Sequence, residues 1–303
     1  MRFDKVVKRF GAVTALAGLS FDVRRGEMFG LIGPDGAGKT TSIRLLCGLL
    51  HADEGAVRVL GRDPVADHRE LTASVGYLSQ RFSLYGDLSI DENIAFFAEI
   101  HGVRGYKARR DRLLEMTQLT PFRGRLADQL SGGMKQKLAL ACTLVHEPDV
   151  IFLDEPTTGV DPVSRREFWK LLSQFLADGI TILMSTPYLD EAERCSRVAL
   201  LHEGGLLALD KPGRLRQSLD GTLLEVVVPQ VREAAAALRA AGLDRTQIFG
   251  DRLHVWLPSG DPEQAVRECG EAAAAAGLQP SGVRPIVPSL EDVFIEKLAE
   301  TGK

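Results

Sequence analysis

The sequence predicts an α/β protein with a mainly parallel sheet, and two observations support this class. Short runs rich in Val, Ile and Leu recur along the first two thirds of the chain: MFGLIG, AVRVL, VGYLSQ, DVIFLDE, ITILMST and RVALLHE. Segments of helical length separate most of these runs, which is the pattern of buried strands joined by helical crossovers. All of the runs are therefore predicted to be strands of one mainly parallel sheet.

Length and composition are ordinary for a globular protein that buries its core without disulfides. The chain has 303 residues, of which 45% are hydrophobic and 26% are charged; this length favours about two domains. The four cysteines, at positions 47, 142, 195 and 269, have no close metal-binding spacing. We expect them to be small apolar side chains in a reducing compartment.

Charge and apolar patterning bear on partners and location. The formal net charge is −4, without the basic excess of a protein whose main partner is duplex nucleic acid, so no nucleic-acid partner is expected. The N-terminal MRFDKVVKRF is too charged for a signal peptide. No run approaches the ~20 apolar residues that cross a bilayer. A soluble, cytoplasmic chain is therefore expected.

Two segments depart from the pattern of apolar strands. Between Gln80 and Pro148 the pattern turns helical, which predicts an inserted helical lobe at about residues 81–147. After about Asp220, LLEVVV, an Ala-rich helix, TQIFG, RLHVWL, a second helix and GVRPIV follow the β-α-β-β-α-β order of a split βαβ unit. We predict a main domain over residues 1–220 and a small C-terminal α+β accessory domain over residues 222–303.

Residues 33–40 have the sequence GPDGAGKT and match the phosphate-binding pattern G-x-x-x-x-G-K-[ST]. They follow the strand-like MFGLI and precede a helical segment, which is the context that this P-loop motif requires. Glycines allow backbone N–H groups to turn towards phosphates at a helix N-terminus. Lys39 would then contact the outer phosphates, and the Thr40 hydroxyl could bind Mg²⁺. Asp35 would repel the ligand and is expected to point away from it.

An apolar run, DVIFLDE, ends in the two acids Asp154 and Glu155. Ligands bind at the carboxyl edge of an open α/β sheet, so these acids should lie beside the phosphate-binding loop. Asp154 would hold Mg²⁺ through a water, and Glu155 would position or deprotonate the attacking water. The alternative, a solvated acidic turn before Pro156, is disfavoured because the loop at 33–40 lies upstream.

A third motif, Leu130-Ser131-Gly132-Gly133, opens a predicted helix 23 residues before Asp154. Together with the P-loop it resembles the signature of the nucleotide-binding subunits of ABC transporters. A hydroxyl, two glycine amides and a helix N-terminus form a second anion site, so one chain with two such surfaces suggests a dimer. The resemblance implies that ATP and Mg²⁺ lie between the P-loop of one subunit and the signature of the other, and that Gln136 belongs to this trans site.

Other positions take their roles from the resemblance alone. Phe10 resembles the aromatic residue that stacks on adenine, with a core Phe on a strand as the open alternative. Gln80 resembles the glutamine that contacts Mg²⁺ and water, and Asp161 the loop that couples the two sites. The candidate nucleotide-binding residues are Phe10, Gly33, Pro34, Asp35, Gly36, Ala37, Gly38, Lys39, Thr40 and Thr41, with Glu155 and Gln80 catalytic and Thr40, Gln80 and Asp154 as Mg²⁺ ligands.

One position departs from the family pattern. Family members usually carry a histidine after the strand equivalent to residues 180–185, where it contacts the γ-phosphate, and this chain has Pro187 there. Proline has neither an imidazole nor a backbone donor. Either Glu155 suffices and turnover is slower, or this P-loop site hydrolyses poorly while the signature completes a more competent site on another subunit. The second arrangement resembles the N-terminal half of tandem-ATPase export subunits.

The resemblance implies an ATP-hydrolysing motor subunit, and PSLEDVFIEKL resembles the C-terminal ending of the daunorubicin-type multidrug export branch. The implied partners are a second cassette, in a homo- or heterodimer, and a separate integral-membrane permease at the inner face of the cell membrane. Residues 81–129, including Phe82, Leu84, Tyr85 and Leu88, are expected either to receive the permease's coupling helix or to fill the lobe's own core. The alternatives are a cassette ATPase acting on ribosomes or nucleic acid, and an ATP sensor without useful catalysis.

Overall fold

The computed structural model describes residues 1–80 and 84–301, so the predicted docking residue Phe82 lies outside the described residues. The chain divides into two compact units, Met1–Pro212 and Gly213–Lys303. This division falls before the boundary predicted at 220–222. Gly213, Arg216 and Gln217 belong to the second unit, where they line one cavity with Trp256.

The strands of the first unit form two sheets. In chain order they are β1 (Arg2–Phe10), β2 (Val13–Asp22), β3 (Met28–Ile32), β4 (Glu54–Arg58), β5 (Val75–Leu78), β6 (Val150–Asp154), β7 (Thr181–Thr186), β8 (Arg197–His202) and β9 (Gly205–Asp210). The larger sheet has the order β5-β6-β7-β3-β8-β9. Its pairs are parallel except for β8 with β9. The predicted α/β class with a mainly parallel sheet is therefore confirmed.

The smaller sheet corrects one prediction. AVRVL was predicted to join the parallel sheet, but β4 pairs antiparallel with β1 in a separate sheet of order β2-β1-β4. Within β4 only Val57 is buried, whereas all five residues of β3 are buried. A strand that buries one face suits an antiparallel sheet, and a strand buried on both faces suits the centre of a parallel one.

The helices of the first unit are α1 (Lys39–Leu46), α2 (His68–Thr72), α3 (Ile90–Ile100), α4 (Lys107–Met116), α5 (Gly132–Leu144), α6 (Pro162–Ala177) and α7 (Leu189–Ala192). Local sequence explains where several of them begin. Ser89 and Glu92 form a capping box at the start of α3. Asp161 caps α6, whose first residue is Pro162. The helices α3, α4 and α5 lie in the predicted helical lobe.

The second unit has the predicted β-α-β-β-α-β order, preceded by one helix and followed by another. Its elements are α8 (Pro212–Gln217), β10 (Thr222–Val227), α9 (Val231–Ala240), β11 (Thr246–Phe249), β12 (Arg252–Leu257), α10 (Pro262–Ala275), β13 (Gly282–Ile286) and α11 (Leu290–Thr301). The sheet has the order β11-β12-β10-β13, and every pair is antiparallel. Alternate residues of β10 and β12, such as Leu224 and Val255, share a core with Ala235 and Cys269 of α9 and α10.

Among the described residues, no helix combines the length and the apolar character needed to cross a bilayer.

Candidate functional site

The phosphate-binding loop connects the buried strand β3 to α1. Gly38 has φ +97° and stands at the N-terminus of α1. A Cβ atom there would lie 2.6 Å from the Leu16 side chain, and one at Gly33 would lie 2.3 Å from the Leu201 carbonyl oxygen. Both positions therefore require glycine, for backbone conformation at residue 38 and for close packing at both.

Lys39 is buried beneath this loop with its ammonium group held in place. The side chain is 4% exposed. Its Nζ donates to the carbonyl oxygens of Gly33 at 2.8 Å and Pro34 at 3.0 Å, and it lies 3.3 Å from Glu155 Oε1. Asp35, which was expected to point away from the ligand, has a side chain that is 96% exposed. The loop thus presents a fixed positive charge at its centre.

Asp154 and Thr40 meet at the carboxyl end of β6. The Thr40 hydroxyl donates to Asp154 Oδ1 at 3.0 Å, and the Ser185 hydroxyl donates to the same oxygen at 2.7 Å. Asp154 is only 1% exposed. Mg²⁺ takes oxygen ligands and is usually held by one or two protein groups together with phosphates and waters. A hydroxyl and a carboxylate in contact beside a phosphate-binding loop fit that donor set.

Glu155 follows Asp154 and adopts a left-handed backbone conformation, with φ +48°. Its carboxylate is 9% exposed and accepts a 3.0 Å hydrogen bond from Gln80 Nε2 on the loop after β5. Thr158 Oγ1 lies 3.4 Å from the same Glu155 oxygen. The fold therefore brings together the two predicted catalytic residues, and a carboxylate in this place can orient or deprotonate a water.

The signature motif opens α5 and leaves its first residues accessible. Ser131 caps the helix by accepting a hydrogen bond from the Met134 amide, and Ser131 and Gly132 are exposed. A Cβ at Gly132 would meet nothing within 4 Å, whereas one at Gly133 would lie 2.3 Å from Ser164 Oγ. The exposed Ser131 and Gly132 at the N-terminus of a 13-residue helix are suited to an anion, whereas Gly133 is buried.

Asp161 lies beside the signature, at the N-terminus of α6. Its Oδ1 accepts hydrogen bonds from the amides of Val163 and Ser164, each at 3.0 Å. Hydrogen bonds from the Ser164 hydroxyl and amide lower the pKa of Asp161. The carboxylate therefore fixes the turn between the acidic pair and α6.

The structure corrects the prediction that Gln136 belongs to the trans site. Gln136 lies on the inner side of α5 and is 0% exposed. Its side-chain amide donates to the carbonyl oxygen of Pro156 in the same chain. A nucleotide held by another subunit cannot reach a fully buried side chain. Leu130 is also buried, at 6% exposed, so its side chain belongs to the core.

Phe10 lies at the end of β1 and is 49% exposed, with Lys8 Nζ 5.4 Å from its ring centroid. The alternative of a core Phe is therefore wrong.

The predicted docking residues are partly exposed: Tyr85 is 46% exposed and packs edge-on against Phe96, while Leu84 and Leu88 are half-buried.

Pro187 follows β7 and is half-buried. On either side of it, Thr186 donates to Glu191 Oε2 at 2.7 Å, and the Tyr188 amide donates to Thr186 Oγ1 at 3.1 Å. Glu191 is 1% exposed and also accepts from Thr157. No imidazole stands at this position, and the two histidines considered as substitutes lie elsewhere: His146 Nε2 is 3.1 Å from the carbonyl oxygen of Val75, and His202 ends β8.

Ser185 and Glu191 are site residues that the sequence analysis missed. Ser185 is the fifth residue of β7 and lies next to Asp154 across the sheet. The rule that placed Asp154 at the carboxyl edge of the sheet also applies to Ser185 and could have identified it. Glu191 offered no such signal, because its partners lie in separate segments: Thr157 in the turn after β6 and Thr186 at the end of β7.

Comparison with known protein families and proteins supports the interpretation of these motifs. The family described as "ABC transporter" matches residues 16–158. A probable multidrug ABC transporter ATP-binding protein of Escherichia coli (strain K12) is 42% identical over 97% of this chain and 51% of its own length. The chain thus spans about half of that relative. The daunorubicin resistance ATP-binding protein DrrA3 of Streptomyces coeruleorubidus is 35% identical over 96% of this chain and 93% of its own.

Solved structures give the same picture. An ATP-binding subunit of an ABC transporter superposes with a TM-score of 0.65 at 30% identity, covering 71% of this chain and 91% of its own. A dimeric ATP-binding cassette in a post-hydrolysis state, bound to ADP and phosphate, superposes with a TM-score of 0.63 at 27% identity, covering 69% and 97%.

Proposed function

Since this chain belongs to the ATP-binding subunits of ABC transporters, we propose that it binds and hydrolyses Mg-ATP to drive a separate membrane permease of an exporter. The supporting observation is the convergence of Lys39, the Thr40–Asp154 pair and the Gln80–Glu155 pair at one edge of one sheet. The same chain presents an accessible Ser131 and Gly132 at the start of α5.

The roles of the residues follow from their contacts. Lys39 is fixed by two loop carbonyls and would place its charge on the outer phosphates. Asp154 and Thr40 would hold Mg²⁺, which when bound neutralises charge that develops on the phosphates. Glu155, oriented by Gln80, would hold the attacking water in line. Positioning and charge stabilisation account for most of the rate enhancement in phosphoryl transfer.

The proposed working unit contains two cassettes. The amides and hydroxyl at the start of α5 would grip the nucleotide bound to the P-loop of a second subunit. That subunit is either another copy of this chain or a different cassette, free or fused to it in tandem. The names of the multidrug and daunorubicin-resistance relatives support export, and we propose that the assembly lies at the inner face of the cell membrane with its permease.

We further propose that this chain's own site turns over slowly because Pro187 stands where the family usually has a histidine. Pro187 offers no side-chain donor to the γ-phosphate. Loss of one polar contact to developing charge typically costs about 10²- to 10³-fold in rate. Glu155 is in place, so slow hydrolysis rather than none is expected.

The test compares ATP turnover and Mg-ATP binding for the wild type, Pro187→His and Glu155→Gln. We expect the wild type to bind Mg-ATP in calorimetry, Pro187→His to raise kcat by about tenfold or more, and Glu155→Gln to bind Mg-ATP with only a residual turnover. Tyr188→His is the matched control, because it introduces a histidine one residue away and should leave kcat at the wild-type level. Absence of Mg-ATP binding would overturn the proposed function. A kcat unchanged by the Pro187 variant would overturn only the proposed cause of slow turnover.

The permease is tested separately. The protein, extracted from native membranes with a mild detergent, should co-purify with an integral-membrane protein when Mg-ATP is present. Co-purification with ribosomal RNA instead would favour the alternative of a cassette ATPase that acts on ribosomes.

A further inference from the structure

Gln136 connects the signature helix to the residue that follows the catalytic acid. It lies on α5, four residues after Gly132, and its side chain is 0% exposed. Its Nε2 donates to the carbonyl oxygen of Pro156, which directly follows Glu155. A buried polar side chain thus reaches from the helix that carries the signature to the backbone beside the proposed catalytic acid.

The backbone at that point is strained. Glu155 has φ +48°, in the left-handed region that non-glycine residues rarely adopt. Such a conformation persists only where surrounding bonds hold it in place. The direction of the Glu155 carboxylate, and therefore the position of any water bound to it, depends on these bonds.

Bonds hold this residue on both sides. On the N-terminal side, the Glu155 amide donates to Ser185, with its carbonyl oxygen at 3.1 Å and its Oγ at 3.0 Å. On the C-terminal side, the Thr158 amide donates to the Glu155 carbonyl at 3.2 Å, and Gln136 holds the next carbonyl, that of Pro156. Gln136 is the residue through which α5 helps to hold the backbone around Glu155.

The other end of the Gln136 side chain argues against a purely structural role. Its Oε1 is buried, and the described part of the chain offers it no hydrogen-bond partner. A buried acceptor without a partner destabilises the folded state. An unbranched apolar side chain of similar length would avoid that cost and would fill the same space. Folding alone therefore does not favour glutamine here.

We propose that Gln136 is a positioning residue for ATP hydrolysis, which holds the Pro156 carbonyl and thereby keeps Glu155 in its left-handed conformation. This inference rests on the proposed hydrolytic function. The loop after β6 and the signature helix α5 are connected through this side chain.

The test is Gln136→Met, which keeps the length and removes the donor. Misplacement of a catalytic group by about 1 Å costs roughly 10²-fold, so we expect kcat to fall by about 10- to 100-fold while KM for Mg-ATP stays unchanged. The midpoint of thermal unfolding should stay the same or rise. When Glu155→Gln is already present, Gln136→Met should lower the residual rate no further, because the residue acts through Glu155.

The matched control is Thr117→Val. Thr117 is also buried, at 1% exposed, and its hydroxyl donates to the Leu113 carbonyl within the lobe. Its loss should lower stability without changing kcat. Crystal structures of wild type and Gln136→Met give a readout that does not depend on turnover, since Glu155 should leave the left-handed region in the variant. A variant with wild-type kcat, or with Glu155 still at its original φ, would overturn the inference; a wild type that neither binds nor hydrolyses Mg-ATP would overturn the proposed function itself.

Discussion

Ser185 donates a 2.7 Å hydrogen bond to Asp154, the carboxylate that also accepts from Thr40. Ser185 is fully buried at the end of β7, and its Oγ also accepts the Glu155 amide at 3.0 Å. One hydroxyl therefore orients the proposed Mg²⁺ ligand and restrains the backbone of the proposed catalytic acid.

Ser185→Ala should therefore weaken the binding of Mg²⁺ at this site. Loss of a hydrogen bond that orients a metal ligand typically costs about 10- to 100-fold in metal affinity, so the Mg²⁺ concentration for half-maximal ATPase activity should rise by about that factor. The control is Ser173→Ala, which removes a 3.0 Å bond to the Trp169 carbonyl within α6. An unchanged Mg²⁺ titration for Ser185→Ala would show that Asp154 is oriented without it.

Gly133→Ala should destabilise the first unit, whereas Gly132→Ala should not. A Cβ at Gly133 would lie 2.3 Å from Ser164 Oγ and 2.5 Å from Ser164 Cβ, while one at Gly132 meets nothing within 4 Å. Overpacking typically costs about 1–3 kcal/mol, measured here as the free energy of unfolding in urea. Ser164→Gly added to Gly133→Ala should restore part of the loss. Equal stability for the two alanine variants would contradict this packing argument.

Phe10→Ala should weaken Mg-ATP binding if the ring stacks on adenine. Base–aromatic stacking is worth about 1–3 kcal/mol, which corresponds to an increase in Kd of about 5- to 100-fold. Calorimetry measures this directly, and Phe10→Trp should retain the affinity. Ile100→Ala serves as the control, since Ile100 is a comparably exposed apolar residue, 61% exposed, at the end of α3. Wild-type affinity in Phe10→Ala would mean that another residue holds the base.

Stability should fall as the pH drops from about 6.5 towards 4, and His146 should carry part of that loss. Burial lowers the pKa of His146 from 6.5 to about 4, and the ring stacks on His101 with centroids 3.8 Å apart. Between those pH values the unfolded chain binds a proton at His146 that the folded chain does not, so the free energy of unfolding decreases as the pH falls.

His146→Phe keeps an aromatic ring against His101 and removes the titration. Urea unfolding at several pH values should give a smaller loss of stability below pH 6.5 for this variant than for the wild type. His51→Phe, which replaces an exposed histidine, should keep the wild-type pH dependence. An unaltered slope in His146→Phe would show that other groups cause the acid sensitivity.

The positions of Lys39, Asp154 and Glu155 could be predicted because they depend on local rules. A glycine-rich loop after a buried strand places Lys39 at a helix start, and acids that end a buried strand lie at the carboxyl edge of the sheet. The α/β class followed from apolar runs, which periodicity detects. These inferences need no knowledge of which segments meet.

The features that could not be predicted depend on contacts between remote segments. Whether Gln136 faces a partner or its own core depends on how α5 packs against the loop after β6, and the motif alone does not encode that packing. The small sheet was missed because β1 is charged at most of its positions, and β2 buries only Leu16, Leu19 and Phe21. Burial on one face leaves a weaker pattern than burial on both.

The place of β3 in the large sheet has a consequence for synthesis on the ribosome. This strand feeds the P-loop, yet its neighbours β7 and β8 end at Thr186 and His202, far later in the chain. A nascent chain that has been synthesised only as far as α1 therefore lacks both strands that flank β3. Translation must proceed past residue 202 before β3 has both of its neighbours, so this apolar strand remains without its sheet partners throughout that interval.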